Sequence, residues 1–151
     1  MKLVFEGDGC VSVLVYRVTS SGCAKTDLRI KLFWDYLGRD REHHQVKPRG
    51  PINDALTDCT WNTCRSGTLD WGEPGVTHDD PRKDVDDVTG YGPESIYLSG
   101  LEAGAYTVMV EHWNSLGSPE SDGTVIINFG GNVRVFDRMD LPYGHVWTVA
   151  T

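Results

Sequence analysis

No apolar run in this chain approaches the roughly 20 residues that a membrane-spanning helix needs, so no membrane insertion is expected. Positive charge is also scarce: 14 Lys and Arg face 22 Asp and Glu, for a net charge of −8 and a pI near 4.9. Phosphate backbones and acidic headgroups do not attract such a protein without a basic patch, and none is present. Nucleic acid is therefore not an expected partner. The opening Met1–Asp8 has no apolar core of the signal-peptide kind, because Glu6 and Asp8 interrupt it, which leaves a cytoplasmic or virion-associated location open. There is no Gly-x-Ser-x-Gly elbow, no His-Glu-x-x-His and no phosphate-binding glycine loop, so the chain is read as non-catalytic. A carbohydrate-active enzyme built on an Asp/Glu pair is the enzymatic alternative. Internal repeats and low-complexity segments are absent too.

What is present suits an all-β protein. The 151 residues are enough for one domain with its own core, and 17 glycines, 7 prolines and 5 tryptophans indicate many turns between short, aromatic-rich strands. Strands are expected at residues 2–6, 11–18 and 27–34, the last with Leu28, Ile30, Leu32 and Trp34 facing inward. Further strands are expected at 42–46, 105–113, 124–129, 133–137 and 146–150, with a hairpin turning at Gly130-Gly131-Asn132. Between Asp35 and Tyr97 the periodicity fades into glycine, proline, aspartate and tryptophan. The expected architecture is a single jelly-roll-like β-sandwich over residues 1–151 with a long, acidic, loop-rich central insertion.

That insertion holds the chemistry. In His78–Ile96 the carboxylates of Asp79, Asp80, Asp84, Asp86, Asp87 and Glu94 crowd together and close on Gly90-Tyr91-Gly92-Pro93, with Arg82, Lys83 and His78 as the cationic neighbours. Carboxylates this dense repel one another unless a cation or basic side chains neutralise them. A calcium ion, which takes six to eight oxygens at about 2.3–2.6 Å, is the expected cofactor. On a strand, Asp40, Glu42 and His44 share a face, so they join the acidic loop in a predicted metal set of Asp40, Glu42, Asp84, Asp86, Asp87 and Glu94. His44, Asp80 and Glu111 stand behind it as supporting groups or further ligands. Direct coordination by His44 would point to zinc or manganese instead of calcium. The Asp84-x-Asp86-Asp87 spacing is not that of an EF-hand.

Four cysteines allow three complete pairings; Cys59 with Cys64 and Cys10 with Cys23 is the local choice, against free thiols or zinc, whose C-x-x-C knuckles are missing. Trp61, Trp71 and Trp113 lie in or beside the loop region, where indole faces can stack on sugar rings or pack into the core.

The order Trp34-Asp35, Asp40-x-Glu42-x-His44, Asp58-Cys59, Asp70-Trp71-Gly72, Asp79-Asp80-Pro81, Asp84-x-Asp86-Asp87-x-x-Gly90-Tyr91-Gly92-Pro93-Glu94 and Gly104-x-Tyr106 resembles a poorly characterised family of bacterial β-sandwich domains. These occur in secreted or surface proteins and lipoproteins, many of them from myxobacteria. The likeness covers about residues 27–150 and leaves 1–26 as additional strands. Glu42 stands where the family pattern has aspartate, and Glu111 precedes His112-Trp113 where the pattern has a histidine and an aromatic directly. The resemblance implies a non-catalytic accessory or adhesion-type module at the cell surface or outside the cell and names no ligand; from the residues themselves a glycan or protein ligand is expected. A self-assembling homo-oligomeric subunit of a fibre, shell or virion is the competing class.

Overall fold

A computed structural model describes residues 27–35, 40–88, 90–114 and 120–151. Cys10, Cys23 and the strands expected at 2–6 and 11–18 lie outside the described residues. Nine strands and one helical turn follow in order: β1 Leu28–Trp34, β2 Asp40–Val46, β3 Asp58–Cys59, α1 Thr63–Ser66, β4 Arg82–Val85, β5 Glu94–Leu98, β6 Thr107–Asn114, β7 Glu120–Phe129, β8 Asn132–Pro142 and β9 Val146–Ala150. They form two antiparallel sheets, β4-β5-β1-β7-β8 and β3-β2-β6-β9. The chain is an all-β sandwich.

Alternation explains the central strand of the larger sheet. Leu28, Ile30, Leu32 and Trp34 are buried and the residues between them are not, as the sequence pattern predicts. These side chains meet Ile96, Leu98, Val125 and Ile127 from their own sheet and Val108, Val110 and Val149 from the opposite one. Each full burial of this kind stabilises by about 1.5–3 kcal/mol.

β2 departs from alternation because both of its faces are covered. Every residue from Arg41 to Val46 is buried. Arg41, His43 and Gln45 pair with His112, Val110 and Val108 and share one face of β2; Glu42, His44 and Val46 share the other. The Arg41 guanidinium reaches the Ser121 carbonyl across the sandwich. Burial, reinforced by the charge of Lys83, pushes the His43 imidazole well below its usual range, so it is a buried neutral ring.

The stretch from Asp35 to Tyr97 is less irregular than the sequence suggests, since β2, β3, β4 and most of β5 fall within it. β4 and β5 escape hydrophobic-pattern reading for a physical reason: their inward positions include Lys83 and Glu94, both buried. Trp71 fixes the excursion between β3 and β4. Its backbone N–H donates to Asp80 Oδ1 at 2.6 Å, its indole N–H to the Leu56 carbonyl at 3.0 Å, and its ring tilts against Tyr106 at 6.1 Å. The Cys59–Cys64 disulfide joins β3 to α1, and α1 packs against β4 at the rim of the other sheet.

Candidate functional site

The Gly-Tyr-Gly-Pro turn is held by one aspartate. Asp87 accepts the Gly90 N–H at 2.7 Å and the Gly92 N–H at 3.1 Å, while the Tyr91 carbonyl takes the Trp34 N–H at 3.1 Å. Gly92 has φ 84°, and a Cβ there would lie 2.6 Å from the Leu32 carbonyl oxygen, so the turn lies flush against β1 only with glycine in that place. The turn delivers Glu94 to the start of β5, opposite Leu32 and pointing inward.

Glu94 there meets the predicted acidic cluster, and its centre is a lysine. Lys83, facing inward from β4 opposite Ile96, places Nζ 2.8 Å from Glu42 Oε1, 3.0 Å from Glu94 Oε2 and 3.4 Å from Asp86 Oδ1. The Lys83 and Glu94 side chains are fully buried. Glu42 Oε1 also accepts the Trp61 N–H at 2.8 Å, and Asp86 meets the exposed Arg65 at 3.1 Å. Burial pushes the Glu94 carboxyl up to about 9, against the pull of Lys83 and with Glu42 adding to the rise. Glu94 is therefore the acid form at neutral pH, which lowers the negative charge that one ammonium must balance. Burial also raises Glu42, and burial together with Asp86 raises half-buried Asp40. Burial alone would lower Lys83, but the carboxyls of Glu94 and Glu42 more than offset it and the group stays charged.

A calcium ion fits this donor set poorly. Ligand oxygens of Glu42, Asp86 and Glu94 lie within 4.8 Å of one another, close enough to share a cation, but the cation between them is the ammonium of Lys83. Three carboxylates would leave calcium to complete its six to eight oxygens from bidentate contacts, backbone carbonyls or water.

A second constellation hangs from the next outward position of β2. His44 Nδ1 lies 2.7 Å from Asp58 Oδ2, an atom that also accepts the Asn53 N–H at 2.7 Å. Asp58 reaches this place because β3 pairs with the end of β2, Val46 opposite Asp58. The other ring nitrogen, Nε2, faces Glu111 Oε2 at 3.5 Å. Glu111 is the β6 residue directly across from Glu42.

The sequence-predicted residues thus divide. Asp40, Glu42, Asp86, Asp87 and Glu94 come together, Asp87 as the scaffold of the turn, and His44 and Glu111 meet beside them. Asp84 does not join: it is exposed beside Arg29, Lys31, Ser95 and Tyr97, since alternation along β4 turns it away from Lys83. Asp80 accepts the Trp71 backbone N–H through Oδ1. Trp71 is only 2% exposed and is a core anchor instead of a stacking platform, whereas Trp61 and Trp113 are 45% and 52% exposed. Two residues escaped the predicted site. Lys83 was visible as one of three cations in the acidic stretch, and Asp58 had no signal until β2 and β3 were paired.

No family model, curated protein or solved structure matches this chain. Function therefore has to be argued from the sandwich and its two clusters.

Proposed function

We propose that the chain is a non-catalytic binding module that takes a hydroxyl-rich, glycan-type ligand on the β3-β2-β6-β9 sheet, beside Glu111. The observation that carries this is two exposed indoles, Trp61 and Trp113, near the partly exposed carboxylate of Glu111. Trp61 donates its backbone N–H to Glu42, and Trp113 lies two residues beyond Glu111, unpaired at the bulge where Arg41 faces His112 and Asp40 faces Asn114. Indole faces stack on sugar rings, and a carboxylate accepts the hydroxyls at their edge. In this reading Lys83 supplies the neutralising charge expected of calcium. The Cys59–Cys64 bond supports an oxidising compartment, in keeping with a surface or extracellular module. Among the described residues no helix is long and apolar enough to cross a membrane.

Affinity electrophoresis against a panel of soluble polysaccharides, followed by tryptophan-fluorescence titration with the retained one, tests the proposal. Retention that Trp61→Ala and Trp113→Ala each weaken is expected; retention unchanged in the double variant, or by no polysaccharide, would overturn it.

A second reading, a self-assembling subunit, draws on β8. This strand forms the edge of the larger sheet and exposes Val133, Val135 and Met139 at 49%, 57% and 65%. Light scattering behind size exclusion tests it. Concentration-dependent assembly abolished by Val135→Lys supports the reading, and a monodisperse monomer at all concentrations ends it.

A further inference from the structure

We infer that His44 and Glu111 form a binding site for a first-row transition metal such as zinc, with Asp58 as the group that orients the imidazole. This site is separate from the Lys83 cluster and does not depend on the glycan reading.

Two buried atoms carry the argument. His44 Nε2 and Glu111 Oε2 face one another at 3.5 Å, and neither has a hydrogen-bond partner. The His44 side chain is 1% exposed. A buried polar atom without a hydrogen bond is costly, and a cation held by both atoms would relieve the cost at each. A direct charge-assisted hydrogen bond would draw them to about 2.7–2.9 Å. Two ligands bound at about 2.1 Å and separated by a tetrahedral angle stand about 3.4 Å apart, close to the observed spacing.

The rest of the ring agrees. Asp58, with a fully buried side chain, lies 2.7 Å from Nδ1 and is itself fixed by the Asn53 N–H. A carboxylate accepting the Nδ1 proton leaves the Nε2 lone pair directed at Glu111, which is the carboxylate–histidine–metal arrangement. Imidazole nitrogen with one carboxylate oxygen favours zinc and its neighbours over calcium or magnesium. The Glu111 side chain is 17% exposed, so the ion has a route from solvent and its remaining positions stay open to water or to an oxygen of a bound ligand. Lys83 has no such role here, because its ammonium is taken up by Glu42, Glu94 and Asp86.

The test uses the full chain after chelation, titrated calorimetrically with Zn2+ and followed in the visible region with Co2+. One saturable equivalent is expected, with a cobalt spectrum of low coordination number. Glu111→Gln should abolish it while the thermal transition survives, and Asp58→Asn should weaken it about 10–100-fold. Asp86→Asn, in the other cluster, should leave the affinity unchanged. Absence of saturable binding would overturn the inference and make His44 an imidazolium bridging two carboxylates. Binding that Glu111→Gln leaves intact, or that Asp86→Asn removes, would overturn it equally by placing the ion elsewhere.

Discussion

The two clusters on β2 are built from similar parts and solve opposite problems. Around Glu42, the chain gathers carboxyls and then supplies its own cation, Lys83, with a proton on Glu94 completing the balance. Around His44, it gathers two carboxylates and an imidazole but leaves Nε2 and Glu111 Oε2 facing each other without a partner. The first is closed: its charge is fully buried and its geometry is set by strands of both sheets. The second is open on the Glu111 side. Acidic density in a sequence therefore does not separate a site from a scaffold; the position of the counter-charge does.

The sharpest way to break this contrast is to remove the internal cation. Lys83→Met leaves buried carboxylates without their partner and should destabilise the fold by about 3–5 kcal/mol in urea unfolding. Added calcium should raise the urea midpoint of that variant and leave the parent unmoved. A Lys83→Met protein as stable as the parent would show that the closed cluster is not held by its lysine. Next in size, Asp58→Ala removes the partner of the buried His44 Nδ1 and should lose about 1–3 kcal/mol, the Asn53 N–H lying on an exposed residue. A loss under that range would mean water replaces the carboxylate and the second cluster is wetter than its burial indicates.

Proton linkage gives a finer contrast. The Glu94 carboxyl moves from 4.5 to about 9 on folding, so below pH 4.5 it is protonated in both states and between the two values only the folded state holds the proton. Its contribution to stability is full below pH 4.5, falls as pH rises and is lost through about pH 9. Glu94→Gln, which mimics the neutral acid, should flatten that decline in melting curves taken from pH 5 to 9. An unchanged slope would place the proton on another group. The smallest effect belongs to Glu111→Gln, expected to stay within about 0.5 kcal/mol of the parent in stability while losing metal. A large stability loss would make Glu111 a structural partner of His44 and close the second cluster as well.

Much of this architecture was legible before the structure. β1 and β9 follow from simple alternation or a short β-branched run, and the expected strand at 146–150 coincides with β9. β4 and β5 were hidden because a strand whose inward residues are Lys83 and Glu94 carries no apolar period, although the two groups meet at 3.0 Å. The convergence of Glu42, Asp86 and Glu94 was readable from donor chemistry, but the identity of the cation was not. Choosing Lys83 over Arg82 requires knowing which residue of β4 points inward. The outward turn of Asp84 and the burial of Trp71 depend on the same missing information, namely face. Asp58 depends on a pairing of only two residues, too short to leave a pattern.

The Cys59–Cys64 bond has a consequence for the history of the molecule. It closes a loop of sequence separation 5 where β3 gives way to α1, and α1 leans on β4, whose Lys83 reaches back to β2. The rim where the two sheets meet is thus fastened twice, once by a covalent link that depends on the surrounding redox potential and once by an ion pair that does not. In a thiol-rich medium the rim keeps only the second fastening. The same chain is then a looser object in a reducing medium than in an oxidising one, and the difference rests on a single sulfur–sulfur bond.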